Sequence, residues 1–221
     1  MSEISNQHKT VLDKLTAASK RAGQPPAALV AVSKVQPDAR IADMLKTGQR
    51  IYGENRVQEA QTRWGETFAD DREGLELRLI GPLQTNKAAD AVALFDVIET
   101  VDREKLLKAL VKAVGPNGKM PRLYVQVNTG EETQKSGVRP ADVPAFLTLM
   151  RETYNLEPEG LMCIPPADEA ASPHFWLLSN LAKDNGVAKL SMGMSGDYEI
   201  AAEMGATSVR VGSALFGARK S

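Results

Sequence analysis

Eight short runs rich in Val, Ile and Leu recur along the chain, each followed by a polar turn and then a longer stretch with helical spacing. They are residues 28–35 (ALVAVSKV), 50–53, 77–81 (LRLIG), 97–101, 123–128 (LYVQVN), 160–164, 190–194 and 208–212 (SVRVG). Their starts lie about 26 residues apart, which suits one strand plus one crossover helix of a parallel sheet. Apolar side chains run nearly continuously through these segments instead of alternating, so both faces of each strand are expected to be covered. Eight β-then-α units in 221 residues predict a closed (β/α)8 TIM barrel of the α/β class, one domain spanning residues 1–221. A doubly wound open sheet shares the period, since period does not report closure.

The intervening segments follow helix grammar. Asp102 precedes a stripe of Leu106, Leu107, Leu110, Val111 and Val114, and Gly115-Pro116 stops it. Ser172-Pro173 is expected to open the next long helix as cap and first residue, with Gly186 closing it. An extra amphipathic helix over residues 4–22 precedes the first strand.

Composition narrows the function. Lys and Arg number 27 against 28 Asp and Glu, a net charge of −1, so no basic field exists to gather nucleic acid or anionic lipid. The single cysteine, Cys163, excludes an internal disulfide. His8 and His174 lie far apart without a ligand pattern, and no metal is expected. The first residues have no signal-peptide pattern and no apolar run approaches the length of a membrane span, which predicts a cytoplasmic protein.

In a barrel the chemistry belongs to residues at the C-terminal ends of the strands. After strands seven and eight these are Gly193, Ser195 and Gly196, then Gly212 and Ser213, a composition suited to a phosphate cup or to ordinary capped turns. Lys34 closes the first apolar run. Desolvation would depress its pKa and leave a neutral amine for carbonyl attack; the alternative is an ammonium reaching water from the rim. Arg210 shares a face with Ser208 and Gly212 by period two and, if that face points inward, needs an acceptor from a ligand or from a structural carboxylate. Asn55 either contacts a ligand or caps the helix beginning at Val57. Gln84, Asn86 and Lys87 read as a capped turn, Lys135 as part of a solvated loop over residues 130–137, and His174, Cys163, Met192, Met194 and Met204 as structural.

The motifs AVSKV, GENRVQEA, LIGPLQTNK, VNTGEETQKSGV, GLMCIP and LSMGMSGDYEIAAEMGATSVRVGSALFGAR, in that order over about residues 28–219, resemble the pyridoxal 5′-phosphate homeostasis proteins, the YggS/PROSC family. The resemblance implies an alanine-racemase-like barrel, fold type III among pyridoxal 5′-phosphate (PLP) proteins. It implies PLP as cofactor, held as a Schiff base on Lys34, with Ser195, Gly212 and Ser213 at the phosphate, Arg210 at the pyridine nitrogen and Asn55 nearby. Relatives often carry Thr where Ser213 stands, which keeps the hydroxyl. The function implied is storage and delivery of PLP inside the cell, with amino acids and PLP-dependent apoenzymes as exchange partners.

Arginine cannot supply a proton to the ring nitrogen as an acid would, which weakens the ring as an electron sink. No tyrosine among Tyr52, Tyr124, Tyr154 and Tyr198 stands out as a second acid/base group, and a second domain to supply one is not expected beyond the eighth strand. A monomer without catalytic residues is therefore expected. The alternatives are a weak PLP-dependent amino-acid racemase or lyase and, without PLP, a Schiff-base aldolase acting on a sugar phosphate.

Overall fold

The computed structural model describes residues 2–116 and 118–217. Eight strands form a closed parallel barrel in chain order: β1 (Ala28–Val32), β2 (Ile51–Glu54), β3 (Glu76–Leu79), β4 (Val97–Val101), β5 (Arg122–Val127), β6 (Gly160–Cys163), β7 (Lys189–Ser191) and β8 (Ser208–Val211). β8 returns to β1 with Ala28 opposite Ser208 and Ala31 opposite Val211, which settles closure in favour of the barrel.

The helices among the described residues are α1 (Glu3–Arg21), α2 (Asp38–Lys46), α3 (Val57–Thr62), α4 (Ala88–Leu94), α5 (Glu104–Val114), α6 (Val143–Thr148), α7 (Ala171–Asp184), α8 (Tyr198–Glu203) and α9 (Ser213–Phe216). α1 is the extra N-terminal helix; Ser2 caps it by accepting from the Ser5 N–H, and it packs on α8, α9 and α2. α3 and α6 each continue into a π-helical turn, Arg63–Thr67 and Leu149–Thr153.

Two apolar clusters follow from strands covered on both faces. The large one lies between sheet and helices and includes Leu29, Ala31, Leu77, Leu79, Val209 and Val211. A second, small cluster comprises Val97, Tyr124 and Met162, with Ile164 packed against it. These residues occupy the opposite pleat from their outward neighbours, so they fill the barrel. They share that interior with charges: Arg78, Glu99 and Arg210 are 5%, 0% and 3% exposed.

Some expected boundaries move. β1 stops at Val32, so Lys34 belongs to the following turn and not to the strand. α7 begins at Ala171, and neither Ala170 nor Ser172 makes a side-chain capping bond; Pro173 stands within the first turn, where its missing N–H is tolerated. α5 starts after Arg103, and Asp102 pairs with that arginine instead of capping the helix. Gly115 at φ 65° and Gly186 at φ 67° terminate α5 and α7 as their positions suggested.

Candidate functional site

The C-terminal rim of the barrel holds a cavity of about 320 Å³. Lys34, Asn55, Ser195, Arg210, Gly212 and Ser213 all line it, so six residues from four separate rim segments meet in one place. Val32, Ile80, Ile164 and Met194 add apolar walls.

Each polar group arrives by a local device. Gln36 N–H donates to the Ser33 carbonyl at 3.1 Å, closing a turn that carries the half-buried Lys34 just past β1. Asn55 follows β2 and does not cap α3, whose N-cap is Arg56 without a side-chain bond. Its backbone is pressed by Gly81, where an added Cβ would lie 2.3 Å from the Asn55 carbonyl oxygen; only glycine fits there. Its Oδ1 is buried with no hydrogen-bond partner. After β7, Gly193 takes φ 93°, with space for no side chain because a Cβ would fall 2.5 Å from that of Ala201. This bend brings Ser195 across to the segment after β8. There Ser195 Oγ accepts from the backbone N–H groups of Gly212 at 3.2 Å and Ala214 at 3.3 Å. Ser195 thus stands against the segment after β8 beside Ser213, with both amides donating to its hydroxyl oxygen, a grouping of hydroxyl and N–H donors of the kind that can bind an oxyanion.

Arg210 is fixed from below. Its Nη1 donates to Ser191 Oγ at 2.6 Å and its Nη2 to the Cys163 carbonyl at 2.7 Å. Ser191 in turn donates to Glu99 Oε2 at 2.5 Å, while Arg78 Nη1 donates to Glu99 Oε1 at 2.8 Å. Burial works against the charge on Arg78, but Glu99 and Glu76 more than compensate and hold its pKa above the ordinary value. Arg210 therefore has its structural carboxylate counterpart, reached through Ser191, and still borders the cavity.

Of the other candidates, Met194 and Gly196 line the cavity and the rest stand apart from it. Lys135 pairs with Glu132 in its own loop at 2.5 Å. Gln84 precedes a 3-10 turn at Thr85–Lys87 without a side-chain bond, and Lys87 lies 3.7 Å from Asp90. His174 meets Glu169 at 3.0 Å. Cys163 is fully buried, and burial pushes its thiol up to about 12. Met192 is buried and Met204 packs on the core, whereas Met194 walls the cavity.

Sequence reasoning singled out Arg210 but missed Arg78 and Glu99, although both carry the same signal, a charge at an inward position of an apolar run (LRLIG and VIETV). It also passed over Glu59 and Arg63, the latter a donor to Glu54 at the end of β2. Burial pushes the Glu54 carboxyl pKa up, against the opposing pull of Arg63, Ser33 and Trp64.

The sequence profile of the family described as alanine racemase, N-terminal domain, matches residues 9–220. The pyridoxal phosphate homeostasis protein of Pseudomonas aeruginosa is 40% identical over 227 residues, covering 99% of this chain and 97% of the relative. The chain belongs to the pyridoxal phosphate homeostasis protein family. The structure of PipY from Synechococcus elongatus with PLP bound is 35% identical and superposes with a TM-score of 0.79, over 97% of this chain and all of PipY. PipY without PLP superposes with a TM-score of 0.84. The alanine racemase of Bartonella henselae, at 13% identity, shares the fold with a TM-score of 0.74 over 97% of this chain and 58% of its own.

For a member of this family the relevant question is whether the cavity fits PLP. It does: the lining combines one primary amine, a group of hydroxyl and N–H donors for a phosphate, a buried guanidinium and apolar walls for a flat ring.

Proposed function

We propose that this chain binds PLP in the rim cavity as a Schiff base on Lys34 and serves to store and deliver the cofactor. The observation that carries the reading is the convergence of Lys34, Arg210 and the Ser195, Gly212 and Ser213 cluster on one cavity. When bound, PLP supplies an aldehyde that condenses reversibly with a primary amine, releasing water, and a dianionic phosphate.

Lys34 is the amine on the protein side. Ser195, Ser213 and the Gly212 N–H hold the phosphate, and Asn55 lines the same cavity. Arg210, held by Ser191 and the Cys163 carbonyl, donates toward the ring nitrogen. A guanidinium does not give up its proton, so the nitrogen keeps its lone pair as an acceptor and the ring is a poor electron sink. The site is thereby suited to holding and exchanging the cofactor in preference to carbanion chemistry. Residues 1–221 act as one PLP-binding domain, monomeric and cytoplasmic, that passes PLP to amino acids or to apoenzymes.

The test is loading with PLP followed by exhaustive dialysis and absorbance, with chiral analysis of added amino acids. Retention near one PLP per chain by the wild type, its loss in Lys34→Ala, and unchanged amino-acid configuration are expected. Retention by Lys34→Ala would refute the linkage, and sustained racemisation or breakdown of an amino acid would favour the enzyme reading.

A further inference from the structure

The turn that carries Lys34 is held in a conformation its own residues resist. Val35, directly after Lys34, has φ 58°. That left-handed region is unfavourable for any L-residue with a Cβ and an outlier for a β-branched one. Packing of the valine does not explain it, since Val35 is 66% exposed.

The restraint comes through the backbone. Val35 N–H donates to Glu59 Oε1 at 2.5 Å. The Gln36 carbonyl accepts from Arg63 Nη2 at 3.0 Å, and Ser33 Oγ donates to Glu54 Oε1 at 2.7 Å. Arg63 Nη1 ties the two carboxylates together, at 2.8 Å from Glu54 and 3.1 Å from Glu59. Ser33, Val35 and Gln36, which flank Lys34 on both sides, are therefore gripped by one connected set of side chains from β2, α3 and the π-helical turn that begins at Arg63. The π-helical turn matters here: consecutive residues Arg63 and Trp64 both donate to the same oxygen, Glu54 Oε1. Widened turns of this kind recur at functional sites. None of Glu54, Glu59 and Arg63 lines the cavity that contains Lys34, so any effect on that lysine passes through the turn.

We propose that Glu59 and Arg63, braced on the buried Glu54, are positioning residues that lock Val35 in its left-handed conformation and thereby present Lys34 to the cavity. The proposal rests on Lys34 being the amine that links PLP. Strain held next to a functional residue by an over-determined network is how proteins keep such a geometry.

The experiment compares two ligands, PLP and pyridoxine 5′-phosphate, which carries an alcohol where PLP has its aldehyde. Glu59→Ala removes the acceptor for Val35 N–H and is expected to weaken PLP retention about ten-fold, the scale of one left-handed residue's penalty. Affinity for pyridoxine 5′-phosphate, measured by calorimetry, is expected to stay within about two-fold because it needs no Lys34 linkage. Glu59→Gln keeps an oxygen in place and should restore PLP retention. The double variant V35G/E59A should also restore it, since glycine adopts the left-handed region without penalty. Wild-type PLP retention in Glu59→Ala, an equal loss for both ligands, or a V35G/E59A variant as weak as Glu59→Ala would each overturn the proposal. Lys34→Ala separates it from the parent reading: undiminished PLP retention there removes the Lys34 linkage, and the positioning role with it.

Discussion

Glu99→Gln removes one charge from the middle of the barrel. Glu99 is wholly inaccessible and lies between two guanidiniums, accepting from Arg78 at 2.8 Å and from Ser191, which relays Arg210, at 2.5 Å. Glutamine keeps the shape, but it leaves Arg78 and Arg210 buried with no carboxylate between them. Removing one partner of a buried ion pair costs roughly 3–5 kcal/mol; Arg78 keeps Glu76 at 2.5 Å, so Arg210, 3.9 Å from Glu99, is the charge left without its carboxylate. For a domain of this size each kcal/mol lowers Tm by about 2–4 °C, so a fall of about 6–20 °C is expected. Calorimetry and urea unfolding measure the loss. A Glu99→Gln variant within about 1 kcal/mol of wild type would refute the idea that Glu99 compensates these arginines.

Three further outcomes follow from the same contacts. S195A/S213A should release PLP faster in dialysis than Asn55→Ala, since it removes two hydroxyls from the phosphate cluster, each charge-assisted bond contributing about 1.5–3 kcal/mol; equal retention would contradict the phosphate assignment. Cys163, inaccessible and with its thiol pushed up to about 12, should resist alkylation at pH 8 in the native protein and react in denaturant, as followed by mass spectrometry. Burial alone would raise the Glu76 carboxyl, but Arg122 and Arg78, at 2.6 and 2.5 Å, outweigh it and hold its pKa below the ordinary value. Its stabilising contribution is present above the unfolded-state value near about 4.3 and is lost as pH falls through the lower folded value. Glu76→Gln should therefore flatten the acid limb of stability measured by denaturant melts below that point.

The barrel was legible because continuous apolar runs at a crossover spacing leave few architectures, and the eight runs match the eight strands to within a few residues. Closure was not, since the β8 to β1 pairing joins residues nearly the whole chain apart. Lys34, Ser195, Arg210 and Gly212 stood out as polar or flexible residues at strand ends, where composition contrasts with the apolar run. Arg78 and Glu99 gave the same contrast, but their meaning depends on which inward positions face each other across the barrel, a matter of stagger that local pattern does not contain. Glu59 and Arg63 look like any exposed i, i+4 pair on a helix; only the turn after β1, folded back against α3, makes them partners of Val35 and Gln36. Helix starts at Ala171 and Glu104 lay beyond the capping rules because neither helix uses a side-chain cap.

The central claim is that Lys34 is the point of PLP attachment. Its most direct test is borohydride reduction of wild type and Lys34→Ala after incubation with PLP, followed by peptide mapping by mass spectrometry. The account predicts a pyridoxyl adduct on the wild-type peptide containing Lys34 and none at that site in the variant. An unmodified Lys34 under saturating PLP would contradict it.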